Sequence, residues 1–303
     1  MRNAAHAESL QHTVYHTPLK VVPEFEYRDT PSNYVRRRLG TETLPNKMKV
    51  WRIQEPERDN VVSRAYGFLD SPDTEVLAVG FNTGKEYGAV GIGRHGNFLQ
   101  WGYGAVPSEM TDAGRKLFLN CIHYIYGFNG KPPFVHRQAS HRLNALRLAP
   151  IINRISGDQK EFFLRTFPEE LYEKYSADPE GLTQYYRDNL EWIYRDRTYR
   201  VDEDLKALGI GSNRQIGCLE ELVTLLSDES KTETAKKALA RYTEEQFEST
   251  DQWQNWFDEN KKQIFFTDVG GYKFLVAPDD YPVSQSYKNA IGALSPTYCS
   301  SEQ

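Results

Sequence analysis

The chain has 303 residues, enough for one large or two ordinary domains with a real core, and a formal net charge of −5 that excludes a strong general attraction to nucleic acid or to an anionic membrane. Mean hydropathy is −0.67, polar for a globular protein, yet aromatic residues make up 13% of the chain and include 19 Tyr, which excludes a wholly disordered polypeptide. There is no run of 18 apolar residues and no apolar stretch near Met1, so the sequence predicts no membrane insertion and no signal peptide; at face value the chain is cytoplasmic, and exported if it is a piece of a larger protein.

Residues 1–45 lack sustained periodicity and carry Pro18, Pro23 and Pro31 between short extended runs, which predicts an arm or sheet edge and no helix. His12 and His16 stand four apart, a ligand spacing on a helix, but Thr13, Val14 and Tyr15 favour extended chain, where the two would lie about 13 Å apart. A third ligand is missing, so no metal site is predicted. Met48–Gln54 alternates as a strand, and Ser63–Ser71 leads to a turn at Ser71, Pro72 and Asp73.

From Val76 to Phe128 short apolar runs broken by Gly84, Gly88 and Gly96 predict two or three strands followed by a helix. Thr111 is the expected N-cap, Asp112 sits in the first turn, and Leu117, Phe118, Cys121, Ile122 and Ile125 are the expected core face. Gly91, Gly93 and Gly96 spell G-x-G-x-x-G, but a strand-like FLQWGYGA follows where a dinucleotide site needs a helix N-terminus, and the nearest acids, Glu109 and Asp112, come too early after the last glycine and beyond another turn. A tight hairpin explains the glycines better, and no nucleotide cofactor is predicted. In that turn Arg94, His95 and Asn97 are the candidate binding residues, and His95 is the best general acid or base in the chain, against the plainer reading of a turn histidine satisfying local carbonyls.

After Pro133 the texture becomes helical. His136–Ile155 has helical spacing through Leu143, Leu146 and Ile151 with a break at Pro150; Pro168 and Pro179 open two further helices, the second running through 196. Asp202, Ser212, Thr232 and Asp251 are read as caps of four short helices, a texture similar to a helical-repeat array. Ile264–Val276 reads as a β-hairpin about Gly270 and Gly271, packed on Trp253, Trp256 and Phe257. The stretch 282–303 is read as a polar, frayed tail. The expected class is therefore α+β or α/β, with a sheet-and-helix domain over 1–134 and a mainly helical domain over 135–303.

Cys121, Cys218 and Cys299 are odd in number and lack a compact spacing, and the first two fall on apolar helix faces, which predicts buried, neutral thiols. His123 is expected half exposed, and His136 and His141 are five apart, a poor ligand spacing. No hydrolase elbow, phosphate loop, H-E-x-x-H or C-x-x-C is present.

The order Gly91 to Gly96, then FLQWGYGA, Pro107, Thr111, Gly114 and LFLNCIHYI resembles the closing strands and last helix of the trehalose-utilisation (ThuA-like) domains of the class I glutamine-amidotransferase-like fold. Arg94 and Gly96 fall on that family's Arg-x-Gly turn, and Leu119–Tyr124 on its helix motif. The resemblance covers roughly a fifth of the chain and is structural: the family's nucleophilic Cys and first βαβ turns have no counterpart. The whole chain is also similar to segments of large, uncharacterised bacterial proteins with helical-repeat material. Two functions stand as expectations: a non-catalytic binding or scaffold protein with a carbohydrate or protein partner, or a sugar-related hydrolase or isomerase acting at the loop around His95.

Overall fold

A computed structural model describes residues 1–278, except 7–9, 38–43, 59 and 156; the predicted tail and Cys299 lie outside the described residues. Helices account for 40% and strands for 18% of the described residues, in separate small sheets and helices, which makes the class α+β. The chain divides into two compact units, the first ending at Phe134 and the second beginning at Val135.

Unit 1 runs β1 (Ala4–His6), β2 (Phe25–Asp29), α1 (Ser32–Arg37), β3 (Lys47–Arg52), α2 (Ala65–Phe68), β4 (Thr74–Val79), β5 (Val90–His95), β6 (Phe98–Trp101) and α3 (Asp112–Tyr126). The strands form two three-stranded antiparallel sheets, β1-β3-β2 and β4-β5-β6. In β3, Met48 and Val50 are buried while Lys47 and Lys49 face water, the period-two pattern of a sheet with one wet face. The N-terminal arm is more ordered than its prolines suggest. It contributes β2 and α1, and Thr13–Tyr15 forms a 3-10 turn in which His12 Nδ1 accepts from the Val14 N–H at 3.2 Å. The extended run expected there is displaced because this cap lets Val14 and Tyr15 bury completely.

Helix α3 begins as the sequence predicts, with Thr111 Oγ1 accepting from the Gly114 N–H at 3.0 Å. Its buried face differs from the expected one: Gly114, Leu117, Asn120 and Cys121 are inside, while Ile122 is 52% exposed. Gly114 lies so close to the Ile53 carbonyl that a Cβ there would collide with it, which sets the roll of the helix. Asn120 turns inward because the arm needs it: its Nδ2 donates to the Val14 and Leu19 carbonyls at 2.8 and 2.6 Å, and its Oδ1 accepts from the Leu19 N–H at 2.9 Å. A polar residue is thus buried with its hydrogen bonds made. Trp51, Ile53, Leu77, Ile92, Leu117 and Cys121 share the resulting core.

Unit 2 runs α4 (Leu143–Leu148), α5 (Gln159–Thr166), α6 (Tyr172–Tyr175), α7 (Pro179–Asp188), β7 (Ile193–Arg195), β8 (Tyr199–Val201), α8 (Glu203–Ala207), α9 (Ile216–Leu225), α10 (Thr232–Tyr242), α11 (Thr250–Asn260), β9 (Ile264–Thr267) and β10 (Lys273–Val276). Pro150 converts the turn after α4 into a 3-10 segment, and Pro168 precedes another. Asp178 and Asp202 cap α7 and α8 as expected. Three other caps shift. Gln215 takes the N-cap of α9 in place of Ser212, Lys231 stands at that position before α10 with Thr232 inside the helix, and Ser249 forms a capping box with Gln252 before α11, leaving Asp251 in the first turn.

The helix expected to run from Pro179 through 196 stops at Asp188, and its second half becomes a 3-10 turn and the β7–β8 hairpin, in which Tyr186 Oη donates to the Tyr199 carbonyl at 2.6 Å. The β9–β10 hairpin forms with Thr267 opposite Lys273. Its Ile264, Phe266, Tyr272 and Phe274 share one core with Trp253, Phe257 and the buried faces of α9 and α10.

Candidate functional site

The β5–β6 turn carries the three residues singled out above, and strand alternation separates them. Gly96 alone has positive φ, at 54°, the mark of a two-residue II′ hairpin turn with Gly in first place. A Cβ on Gly96 would stand 2.5 Å from Pro133 N, so the glycine also admits that segment. Gly91 and Gly93 lie inside β5 itself, pressed against Gly80 and Phe68; they serve packing, and a strand follows where a phosphate site would need a helix.

Arg94 points to the α3 side, 1% exposed, with Nε donating to Glu75 Oε2 at 2.7 Å, Nη1 to the Gly96 carbonyl at 2.9 Å, and its guanidinium 3.8 Å over the Phe128 ring. Glu75 also accepts from Tyr124 Oη at 2.5 Å. Burial would raise its carboxyl, but His12, Arg94 and Tyr124 hold it down at about 2. This arginine is spent on the fold.

His95 lies on the opposite face, near Phe68. Its Nε2 is 3.4 Å from Oδ1 of the buried Asp73, close enough for charge attraction but misaligned for a hydrogen bond. Asp73 has firmer partners, accepting from Ser71 Oγ and from the Phe134 N–H at 3.1 Å. Burial would raise its carboxyl; the imidazole and these two donors keep it below the usual range. Asn97 Oδ1 is buried without a partner. The turn therefore brings His95 to a carboxylate that is not adjacent in sequence, and it does not bring Arg94 to His95.

In unit 2 the charges of the interior neutralise one another. Arg142 and Asp268 form a forked pair, 1% and 3% exposed, with Nη2 to Oδ1 at 2.7 Å and Nε to Oδ2 at 2.9 Å; Nη1 also donates to the Leu190 carbonyl at 3.0 Å. Burial would raise the Asp268 carboxyl, but the Arg142 charge, with His141, holds it at about 2. Arg241 pairs with Asp202, and Arg214 with Glu191 at 2.6 Å. Cys121 and Cys218 are free and buried, and burial pushes both thiols up to about 12, so neither is ionised at neutral pH.

Two buried histidines give the protein an acid limit. His6 Nε2 is 3.0 Å from Tyr34 Oη, and His141 Nδ1 accepts from the Leu143 N–H at 3.2 Å. Burial lowers both to about 4. Below their ordinary value of 6.5 the unfolded chain takes up protons that the folded chain refuses, so stability is full above pH 6.5, falls between 6.5 and 4, and levels off below. That interval corresponds to about 3 kcal/mol per histidine. Urea midpoints followed from neutral pH to about pH 4 are expected to fall, and His141→Gln to flatten the profile; a flat wild-type profile would refute the neutral burial of both rings.

An open cleft of about 360 Å³ lies where α5 faces β7. Helix α5 lines it with Glu161, Phe162, Arg165 and Thr166, its N-cap Asp158 stands at one end, and Arg195 reaches in from β7. Asp158 Oδ1 accepts from the Glu161 N–H at 2.9 Å, and Glu161 pairs loosely with Arg165 at 3.5 Å. Arg195 stands 5.3 Å from the Tyr199 ring centroid, and its Nε is shut off from solvent without an acceptor. No carboxylate among the described residues lies within ion-pair distance of it.

The α5 side of this cleft is periodic in the sequence and could have been read there, since Asp158, Glu161, Phe162 and Arg165 share one helix face. Arg195 could not, because its strand reads as the end of a helix. Comparison with protein-family models, curated proteins and solved structures finds no match.

Proposed function

We propose that this protein is a non-catalytic binding module with its ligand seat in the cleft between α5 and β7. The observation that carries the reading is a contrast: Arg94, Arg142, Arg214 and Arg241 are each neutralised by a carboxylate of the fold, whereas Arg195 lines an open cleft with no carboxylate among the described residues within ion-pair distance. A guanidinium in that state is free to serve a ligand oxygen. The two buried thiols offer no ionised nucleophile, and the partner classes that fit are carbohydrate or protein.

A thermal-shift screen of small polar molecules on the full chain is the test. Ligands are expected to raise the melting temperature of the wild type and to lose that effect in Arg195→Ala. Ligands whose effect survives Arg195→Ala and disappears in His95→Ala would overturn the reading.

One observation favours a second reading, a sugar-related hydrolase or isomerase at His95: the buried Asp73 carboxylate stands 3.4 Å from its ring, so an acid and an imidazole, the usual groups of proton transfer, meet at this turn. Turnover of a sugar by the wild type that His95→Ala abolishes would select it. The segment from the Gly96 turn through β6 to α3 also supports a ThuA-like reading of this stretch. All strand pairings described in unit 1 are antiparallel, so this reading extends to that segment alone and not to a parallel βαβ framework.

A further inference from the structure

The lining of the α5–β7 cleft narrows its ligand class, and we infer that it seats a neutral pyranose sugar; this rests on the cleft being the ligand seat proposed above. Four of its seven lining residues are charged, Asp158 and Glu161 against Arg165 and Arg195. The signs balance, so a net anion meets two carboxylates and a net cation meets two guanidinia. A hydroxyl suits both, because it donates to a carboxylate and accepts from a guanidinium. The planar fork of Arg195 presents donors side by side, which matches two neighbouring hydroxyl oxygens.

Among these polar groups the cleft carries two apolar side chains, Phe162 and Ile155. Phe162 follows Glu161 and precedes Arg165 on the same flank of α5. At the helical rise, Glu161 and Thr166 are separated by about 7.5 Å along the axis, the span of a sugar ring with its hydroxyls. A pyranose laid on Phe162 sets its C–H face on the aromatic ring, while its rim meets acceptors at the N-terminal end of α5 and donors at the other. The volume of about 360 Å³ is at the small end of ligand sites, which run from about 300 to 1,000 Å³, and suits one or two rings.

Saturation-transfer NMR on the full chain tests this, with glucose, galactose, maltose and cellobiose as probes and acetate and inorganic phosphate as controls. At least one sugar is expected to take up saturation at its ring C–H protons. Phe162→Ala should weaken that sugar by up to about tenfold, the most that an aromatic contact of this kind contributes. Arg195→Lys, which keeps the charge and loses the fork, should weaken it as well, and circular dichroism checks that both variants fold. No response from any sugar overturns the inference. So does a phosphate or acetate response that Arg195→Ala removes while the sugars stay silent, an outcome that leaves the binding-module reading standing. Conversely, sugar binding accompanied by product formation in mass spectrometry supports the sugar seat and overturns the non-catalytic reading.

Discussion

Asp268→Ala is expected to destabilise unit 2 by about 3 to 5 kcal/mol, the loss found when one partner of a buried ion pair is removed and the other is left behind. The reason is where Arg142 sits. Its guanidinium is 1% exposed, receives both Asp268 oxygens, and has Leu190 O as its other acceptor. Taking the carboxylate away strands a charge that cannot give up its proton. It also frees the Arg142 N–H, which donates to Asp268 Oδ2 at 2.8 Å. The pair ties the β9–β10 turn to the start of α4, and the neighbouring contacts of the Val269 carbonyl with the Gln138 and Ala139 N–H groups depend on that turn. Urea unfolding measures the loss. Replacing both partners, Arg142→Leu with Asp268→Leu, should recover part of it, since no charge then remains buried. A loss below about 1 kcal/mol for Asp268→Ala would be the value of a solvated surface pair, and would refute the buried assignment. Because Asp268 is held at about 2, its contribution is complete above the ordinary aspartate range and goes only as pH falls toward 2, below the window set by the histidines.

Phe266→Ala is the second large effect, about 3 to 5 kcal/mol for removing a packed aromatic side chain. Phe266 is 6% exposed, stands edge-on to Phe274 at 4.9 Å, and lies under the Arg142 guanidinium at 5.5 Å. It belongs to the core that joins the hairpin to Trp253 and Phe257 and contains none of the cleft residues. The denaturant midpoint should therefore drop while the affinity of the folded protein for its ligand stays the same. An unchanged midpoint with lost binding would turn this aromatic cluster from core into site. Since Phe266 and Arg142 touch, Phe266→Ala and Asp268→Ala are not expected to add, and their coupling is itself measurable by a double-mutant cycle.

What the sequence by itself determined is local. Thr111, Asp178 and Asp202 mark helix starts because a short polar side chain answers a free N–H in its own turn; Ile264–Val276 announces its hairpin by two apolar runs about a Gly-Gly turn; Cys121 and Cys218 read as buried from the faces they occupy. Such signals narrow the class to α+β or α/β, and the separate antiparallel sheets decide for α+β. Only the tertiary structure decided what meets what. Arg94 and His95 are neighbours in sequence and lie on opposite faces of β5, because side chains alternate along a strand. His95 finds Asp73, and Arg142 finds Asp268 126 residues away, through strand register and chain closure, which leave no trace in local periodicity. Asn120 replaces Ile122 in the core because the arm's carbonyls need its donors. The stretch after Asp188 becomes the β7–β8 hairpin, although its residues suit a helix as well, because short apolar runs are ambiguous until tertiary packing selects one form. That last choice carries Arg195 to the cleft, so the feature on which the proposed function rests is one that local sequence signals could not contain.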